Sequence, residues 1–359
     1  MPQDDGMAER FDVVFEAARL HFEEGLKQEE VARVLKVSRP TVARYLAMAR
    51  EMGYVQVRVL QPKGHAFLHD LELALVERFP TLREALLTSS RAEALDPSQV
   101  AARRAVSDEL AERAAMLVDH LLTSRRRRGD AVVAVARGEM IDAVIRRIRP
   151  SRPLPNLEVL PMLGYLRSRE YPYDANRLAE ELARLYAGNY EWIPAPAVVT
   201  AEEAAVLRGM PLVAEPLRKL HDDTTVVLTS ISCPYLTRPD GRREMRQSTL
   251  LQSERVDRAE LSRLADECGA IGEICGWYFG PDGAVDVPGV TLLGLPLTRL
   301  RELAADRERS VVAVAGGDPE RVEAIFSALR LGLMNVLVTD YLTAHRLLDI
   351  ARRESSASE

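Results

Sequence analysis

Ser38-Arg-Pro-Thr-Val-Ala-Arg-Tyr-Leu-Ala-Met-Ala-Arg-Glu-Met-Gly53 carries the start, the faces and the end of one short helix. Ser38 is an N-cap residue, Pro40 belongs in a first turn where its missing N–H is not needed, and Gly53 suits the left-handed end. Val42, Leu46 and Ala49 recur at three-to-four-residue spacing and mark a buried stripe. Arg39, Thr41, Arg44 and Tyr45 then fall on the outer face. Upstream, residues 28–35 form a helix with Val31, Ala32 and Leu35 on one side. Ala32 is small where the following helix crosses closely, Val37 is apolar in the turn, and Val42 is apolar again. This is helix-turn-helix spacing, in which the second helix enters the major groove of double-stranded DNA. Lys36 stands where the turn backbone is left-handed and glycine is common, at a cost of about 1 kcal/mol.

Working outward, residues 11–24 read as an amphipathic helix with Phe11, Val14, Phe15, Ala18 and Phe22 inward. Residues 54–60 alternate Val55, Val57 and Val59 with polar side chains, the pattern of a half-exposed strand that forms a wing. In this reading Arg33, Lys36 and Arg50 contact phosphates, Ser38 sits at the helix start, and Arg39, Thr41, Arg44 and Tyr45 reach base edges. A helical protein-interaction module is the bland alternative. The whole chain carries a net charge of −6, but residues 31–62 hold six basic residues and one acidic one. A positive face on an acidic protein follows.

At 359 residues, 47% hydrophobic and 28% charged, the chain is long enough for two or three globular domains. No run of about 18 uncharged apolar residues and no basic-then-apolar leader is present, which points to the cytoplasm. Cys233, Cys268 and Cys275 lack metal or disulfide spacing and read as small core residues; no metal, no cofactor and no catalytic residue are expected.

Residues 61–64, Gln-Pro-Lys-Gly, mark a boundary, giving a DNA-binding domain over 1–62 and a second domain over 63–359. A helix is expected over 66–78 and a long one over 97–122, whose apolar positions suggest burial or pairing with a second subunit. Arg125 to Arg128 read as solvated charge at its end. From residue 131 onward, apolar runs at 131–135, 157–160, 225–229, 291–293, 311–315 and 336–338 alternate with helical stretches. Such alternation predicts an α/β domain with a mainly parallel, Rossmann-like sheet whose ligand lies beyond the carboxyl ends of the strands. In the loop Ala315-Gly316-Gly317-Asp318-Pro319, either the glycines and the following helix start hold a phosphate, with Arg321 nearby, or the glycines serve the turn alone.

The chain resembles the SorC family of bacterial sugar-responsive transcriptional regulators. The resemblance rests on residues 23–32 with Ser38 to Val42, on Pro194-Ala-Pro-Ala-Val-Val199, on Gly269-Ala-Ile-Gly-Glu-Ile-Cys-Gly276, on Val314 to Gly317 and on Asn335-Val-Leu-Val-Thr-Asp340. It implies a winged helix-turn-helix joined to a domain similar to glucosamine-phosphate deaminases and ribose-phosphate isomerases. It also implies a sugar or sugar-phosphate effector that controls operator affinity, and a homodimer or homotetramer. Carried over by position, the effector site comprises Arg137, Gly138, Gly164, Asn176, Glu273, Gly316, Gly317 and Arg321. Departures stand beside it. The loop after the first strand, commonly rich in glycine and hydroxyl residues, reads Arg137-Gly138-Glu139-Met140, Glu273 replaces Asp, Trp277 stands where a basic residue is common, and Arg321 replaces Lys. Two alternatives remain: a regulator that has lost its ligand, and a sugar-phosphate isomerase or deaminase with an added module, for which Lys219, His120, His221 and His345 are the available groups.

Overall fold

A computed structural model describes residues 13–55, 66–88, 100–124, 131–166, 173–237, 243–246, 248–253 and 255–357. The wing from residue 56 onward and the run Arg125 to Arg128 lie outside these residues, as does Phe11. The chain divides into two compact units, residues 1–62 and 63–359.

In the first unit a helix beginning at residue 13 widens into a π turn at Arg19–Glu23 and is followed by helices Gln28–Leu35 and Arg39–Glu51. Ser38 accepts the Thr41 backbone N–H and caps the last of these. Lys36 adopts φ 53° and ψ 40°, the left-handed turn expected of it. Val31, Ala32, Val42, Leu46 and Ala49 close on Val14, Ala17, Ala18 and Leu20 to form a separate small core. The first helix presents a different face from the expected one: Phe15 and Phe22 are 51% and 42% exposed. Alanines at 17 and 18 let the helices approach, and the two rings are displaced outward. Phe15 meets Tyr54 edge-on at 5.9 Å, and Phe22 lies 5.7 Å beneath the Arg50 guanidinium.

In the second unit, helix Ala66–Arg78 leads into β1 (Glu84–Thr88) and then the long helix Val100–Thr123. Next come β2 (Val132–Val135), β3 (Glu158–Pro161), β4 (Asn189–Tyr190), β5 (Val198–Val199) and β6 (Val226–Thr229). Then follow β7 (Tyr235–Thr237), β8 (Arg243–Met245), β9 (Gly272–Ile274), β10 (Trp277–Gly280), β11 (Gly283–Val285) and β12 (Thr291–Leu292). The last strands are β13 (Ser310–Val314) and β14 (Val336–Asp340). Seven strands form one sheet in the order β1-β14-β13-β6-β2-β3-β4, and every pairing within it is parallel. Its central strands are fully buried valine-rich runs, as a sheet covered on both faces requires.

From β2 the order runs through β3 to β4 on one side, whereas β6, β13 and β14 run to the other. The direction reverses between β2 and β6, and their carboxyl ends diverge into a crevice there. The strand expected at 291–293 belongs elsewhere, pairing antiparallel with β5. Leu110, Ala114 and Leu117 of the long helix are buried within the chain, against helix Glu139–Arg147 and the sheet, so their apolar character needs no second subunit.

Candidate DNA-reading helix and ligand cavity

On the first unit, Arg33, Lys36, Ser38, Arg39, Arg44 and Arg50 are exposed, while Thr41 and Tyr45 are half-buried. Arg44 lies 5.9 Å above the Tyr45 ring, and the Ser38 and Thr41 hydroxyls share a 2.7 Å hydrogen bond. The first turn of helix Arg39–Glu51 holds no acidic residue. The helix dipole and the guanidiniums beside it form a positive helix start, suited to a phosphate backbone.

On the second unit, a cavity of about 760 Å3 opens at the reversal point of the sheet. Its walls come from the ends of β2 (Arg137, Gly138), β6 (Ser230, Ser232) and β13 (Gly316, Gly317), from the long helix, and from the segment 246–252. Six of the eight carried-over residues meet in this wall: Arg137, Gly138, Glu273, Gly316, Gly317 and Arg321. Gly164 and Asn176 do not. A Cβ on Gly164 would stand 2.2 Å from the Ala195 carbonyl oxygen, so this glycine serves close backbone packing. Asn176 is buried in the first turn of helix Ala175–Leu185, its N–H donated to Asp174.

The inner end of the cavity is polar and buried. Glu273 is only 2% exposed, and its Oε1 accepts the N–H groups of Thr249 and Gly276 at 3.0 Å each. Its Oε2 has no hydrogen-bond partner among the described residues. Arg137, also buried, donates to the Thr249 hydroxyl at 3.3 Å and to Gln252. Arginine and glutamate are therefore fixed around one threonine. The β9–β10 hairpin that carries Glu273 turns through Cys275 at φ 50° and Gly276 at φ 89°. Cys275 packs behind Arg137, whose backbone N–H reaches its sulfur, and burial pushes the thiol up to about 12. Of the three cysteines only this one is buried; Cys233 is half-buried and Cys268 exposed, a correction to their reading as core residues.

The glycine loop is closed from within. Asp340 Oδ2 accepts the Gly317 N–H at 2.7 Å, and Gly316 lacks a Cβ because that atom would stand 2.4 Å from the same oxygen. Asp318 caps the following turn and lies 3.7 Å from both Arg103 and Arg246. Of the two readings of this loop, turn geometry accounts for both glycines. At Gly138, φ is 127° and helix Glu139–Arg147 begins without a side-chain cap. Its first turn holds Glu139 and the buried Asp142, which pairs with Arg146 and Arg177 at 2.7 Å each.

Arg103, Arg104, Ser107, Arg246, Thr249 and Gln252 were not legible as site residues. The arginine dyad at 103–104, in the first turns of the long helix, is the available signal.

A helix-turn-helix unit followed by a parallel-sheet unit with a polar cavity at its reversal point defines a ligand-responsive DNA-binding protein. The sugar-binding domain family model, Sugar-bind, matches residues 66–349, and the chain belongs to this family of transcriptional regulators, which includes the SorC type. It is 28% identical to the transcriptional regulator YjhU of Escherichia coli K12 over 94% of both chains. It is 25% identical to the deoxyribonucleoside regulator of Bacillus subtilis over 95% of this chain and 98% of that one. The full-length sorbitol operon regulator of Klebsiella pneumoniae shares the fold, with TM-score 0.60 and 22% identity over 94% of this chain and 99% of that one. The chain is a metabolite-responsive, DNA-binding transcriptional regulator.

Proposed function

We propose that residues 1–62 read an operator, that residues 63–359 bind a sugar-type effector and set the oligomer, and that the effector alters operator affinity. Arg33, Lys36 and Arg50 position the first unit on phosphates. Arg39 and Arg44, with Thr41, Tyr45 and the capping Ser38, face the bases. In a dimer, two such helices meet half-sites about 34 Å apart or a multiple of that. A regulator that reads an operator works in the cytoplasm, where its DNA lies.

One observation carries the effector reading. Glu273 is a buried carboxylate with one oxygen satisfied by backbone and the other without a partner among the described residues, in the wall of a cavity at a sheet reversal point. Leaving such an oxygen unfilled costs roughly 1–3 kcal/mol, and a hydroxyl of a polyol ligand fills it. Arg137 beside it supplies donors for ligand oxygens.

A catalytic role is not part of this proposal. Lys219 lies 2.9 Å from both Glu158 and Glu191, which hold its ammonium above the ordinary lysine range and away from Schiff-base chemistry. His221 is engaged by the Gly294 carbonyl at 2.9 Å and His345 by the Tyr341 ring. Neither they nor His120 line the cavity. The rival is a regulator without a ligand, favoured by the acidic first turn at Glu139. Footprinting of DNA upstream of the protein's own gene, with and without sugars, tests the proposal. A protected site whose occupancy changes with a sugar supports it, protection indifferent to every sugar favours the rival, and no protection at low salt rejects both.

A further inference from the structure

We infer that Phe22 is a positioning residue for operator binding: its ring holds the Arg50 guanidinium in place for a DNA phosphate before the duplex arrives. The inference rests on the phosphate contact proposed above for Arg50. Phe22 belongs to the π turn Arg19–Glu23, which ends the first helix of the DNA-reading unit. Arg19 clamps that turn by pairing with Glu16 at 2.7 Å and Glu24 at 2.5 Å, and the Glu24 N–H reaches back across it to the Arg19 carbonyl at 3.2 Å. Widened turns of this kind recur at functional sites.

The ring does not serve the core. Phe22 is 42% exposed and takes no part in the unit's small apolar cluster, to which the same turn contributes Leu20. Its partner is the Arg50 guanidinium, 5.7 Å from the ring centroid. Arg50 is exposed in the last turn of helix Arg39–Glu51 and forms no hydrogen bond or ion pair among the described residues. The ring attracts the cation through its quadrupole and, unlike a carboxylate, brings no negative charge that a phosphate must displace.

Arg39, at the other end of the same helix, shows the alternative. It lies 3.7 Å from Glu29. A phosphate approaching Arg39 competes with that carboxylate, whereas one approaching Arg50 meets a cation whose partner is neutral and whose donors are unspent. Holding the long side chain in advance also reduces the rotamer freedom lost on binding. A phosphate contact carries no sequence information but sets register and orientation, so a fixed Arg50 fixes how the far end of the reading helix sits on the duplex.

The test uses the full chain and a fluorescent duplex of the DNA upstream of its own gene, with affinity read by anisotropy over a range of salt concentrations. Arg50→Ala is expected to weaken binding and to lower the slope of log affinity against log salt by about one, the loss of one phosphate contact. Phe22→Leu and Phe22→Gln are each expected to weaken binding about two- to fivefold, the strength of an exposed cation–ring contact, and Phe22→Tyr to keep wild-type affinity. In an Arg50→Ala background neither Phe22→Leu nor Phe22→Gln should weaken binding further. Thermal melts report the folding of each variant, and the two non-aromatic variants check each other. Wild-type affinity in both of them, an equal loss with and without Arg50, or a loss shared by Phe22→Tyr overturns the inference and leaves the phosphate contact standing. Wild-type affinity and salt slope in Arg50→Ala overturn both.

Discussion

Two helices in this molecule start beside a candidate anion partner, and they start differently. Helix Arg39–Glu51 is capped by Ser38, has Pro40 in its first turn, carries no acid there and is flanked by exposed arginines. Helix Glu139–Arg147 begins at an uncapped glycine and carries Glu139 and Asp142 in its first turn. The peptide dipole is the same in both, worth roughly 0.3–1 kcal/mol for a nearby charge. Side chains decide what it does. In the first helix the positive end is left for a partner, and in the second the chain's own carboxylates consume it.

The largest expected effect concerns the wall behind the second helix start. Cys275 lies against the Arg137 main chain with its thiol pushed by burial up to about 12 from the ordinary 9.0. Its thiolate fraction near neutral pH is about a thousandfold below that of an ordinary thiol. Alkylation followed by mass spectrometry should label exposed Cys268 and spare Cys275; rapid labelling of Cys275 shows that this wall opens. The sign for stability follows. The native state keeps the Cys275 proton that the unfolded chain loses above pH 9.0, so this contribution is intact below pH 9.0 and falls away between 9.0 and about 12.

Next in size is Asp142→Ala. Arg146 and Arg177 lose their shared buried carboxylate, and urea denaturation should report a loss of about 2–4 kcal/mol, moderated because both arginines reach solvent. A loss below about 0.5 kcal/mol would mean that the acid serves the cavity and not the fold. Arg44→Ala in the first unit should weaken operator binding by about 1–3 kcal/mol and leave thermal unfolding unchanged, measured by anisotropy at fixed salt. Ser38→Ala removes the cap and should cost the first unit about 1 kcal/mol in chemical denaturation. Smallest is Glu139→Gln, which should destabilise its helix by about 0.3–1 kcal/mol in chemical denaturation.

The contrast also explains what could be read in advance. The first helix start is contiguous: cap, stripe and outer face occupy residues 38–53, and even the left-handed Lys36 follows from helix-turn-helix spacing. The parallel sheet was legible as well, because β2, β6, β13 and β14 each hold three or four consecutive apolar residues. The cavity was legible only in pieces. Arg137, Glu273 and Arg321 come together through a strand order that no local pattern encodes, and Arg104 sits on a helix whose periodicity describes only its buried side. Strands β7 to β11 were not legible because they span three or four residues each, too short for a period to show. Phe15 and Phe22 were misplaced because ring size suggested burial, whereas the close crossing requires Ala17 and Ala18.

The most direct measurement is a footprint of the full chain on DNA upstream of its own gene, repeated with ribose phosphate, glucose phosphate and gluconate, for the wild type, Arg44→Ala and Arg321→Gln. Wild-type protein should protect a site, and at least one of these sugars should change its occupancy. Arg44→Ala should lose the protection, and Arg321→Gln should keep the protection and lose the response to sugar. Protection that survives Arg44→Ala unchanged, or a sugar response undiminished in Arg321→Gln, would contradict the assignment of the two sites.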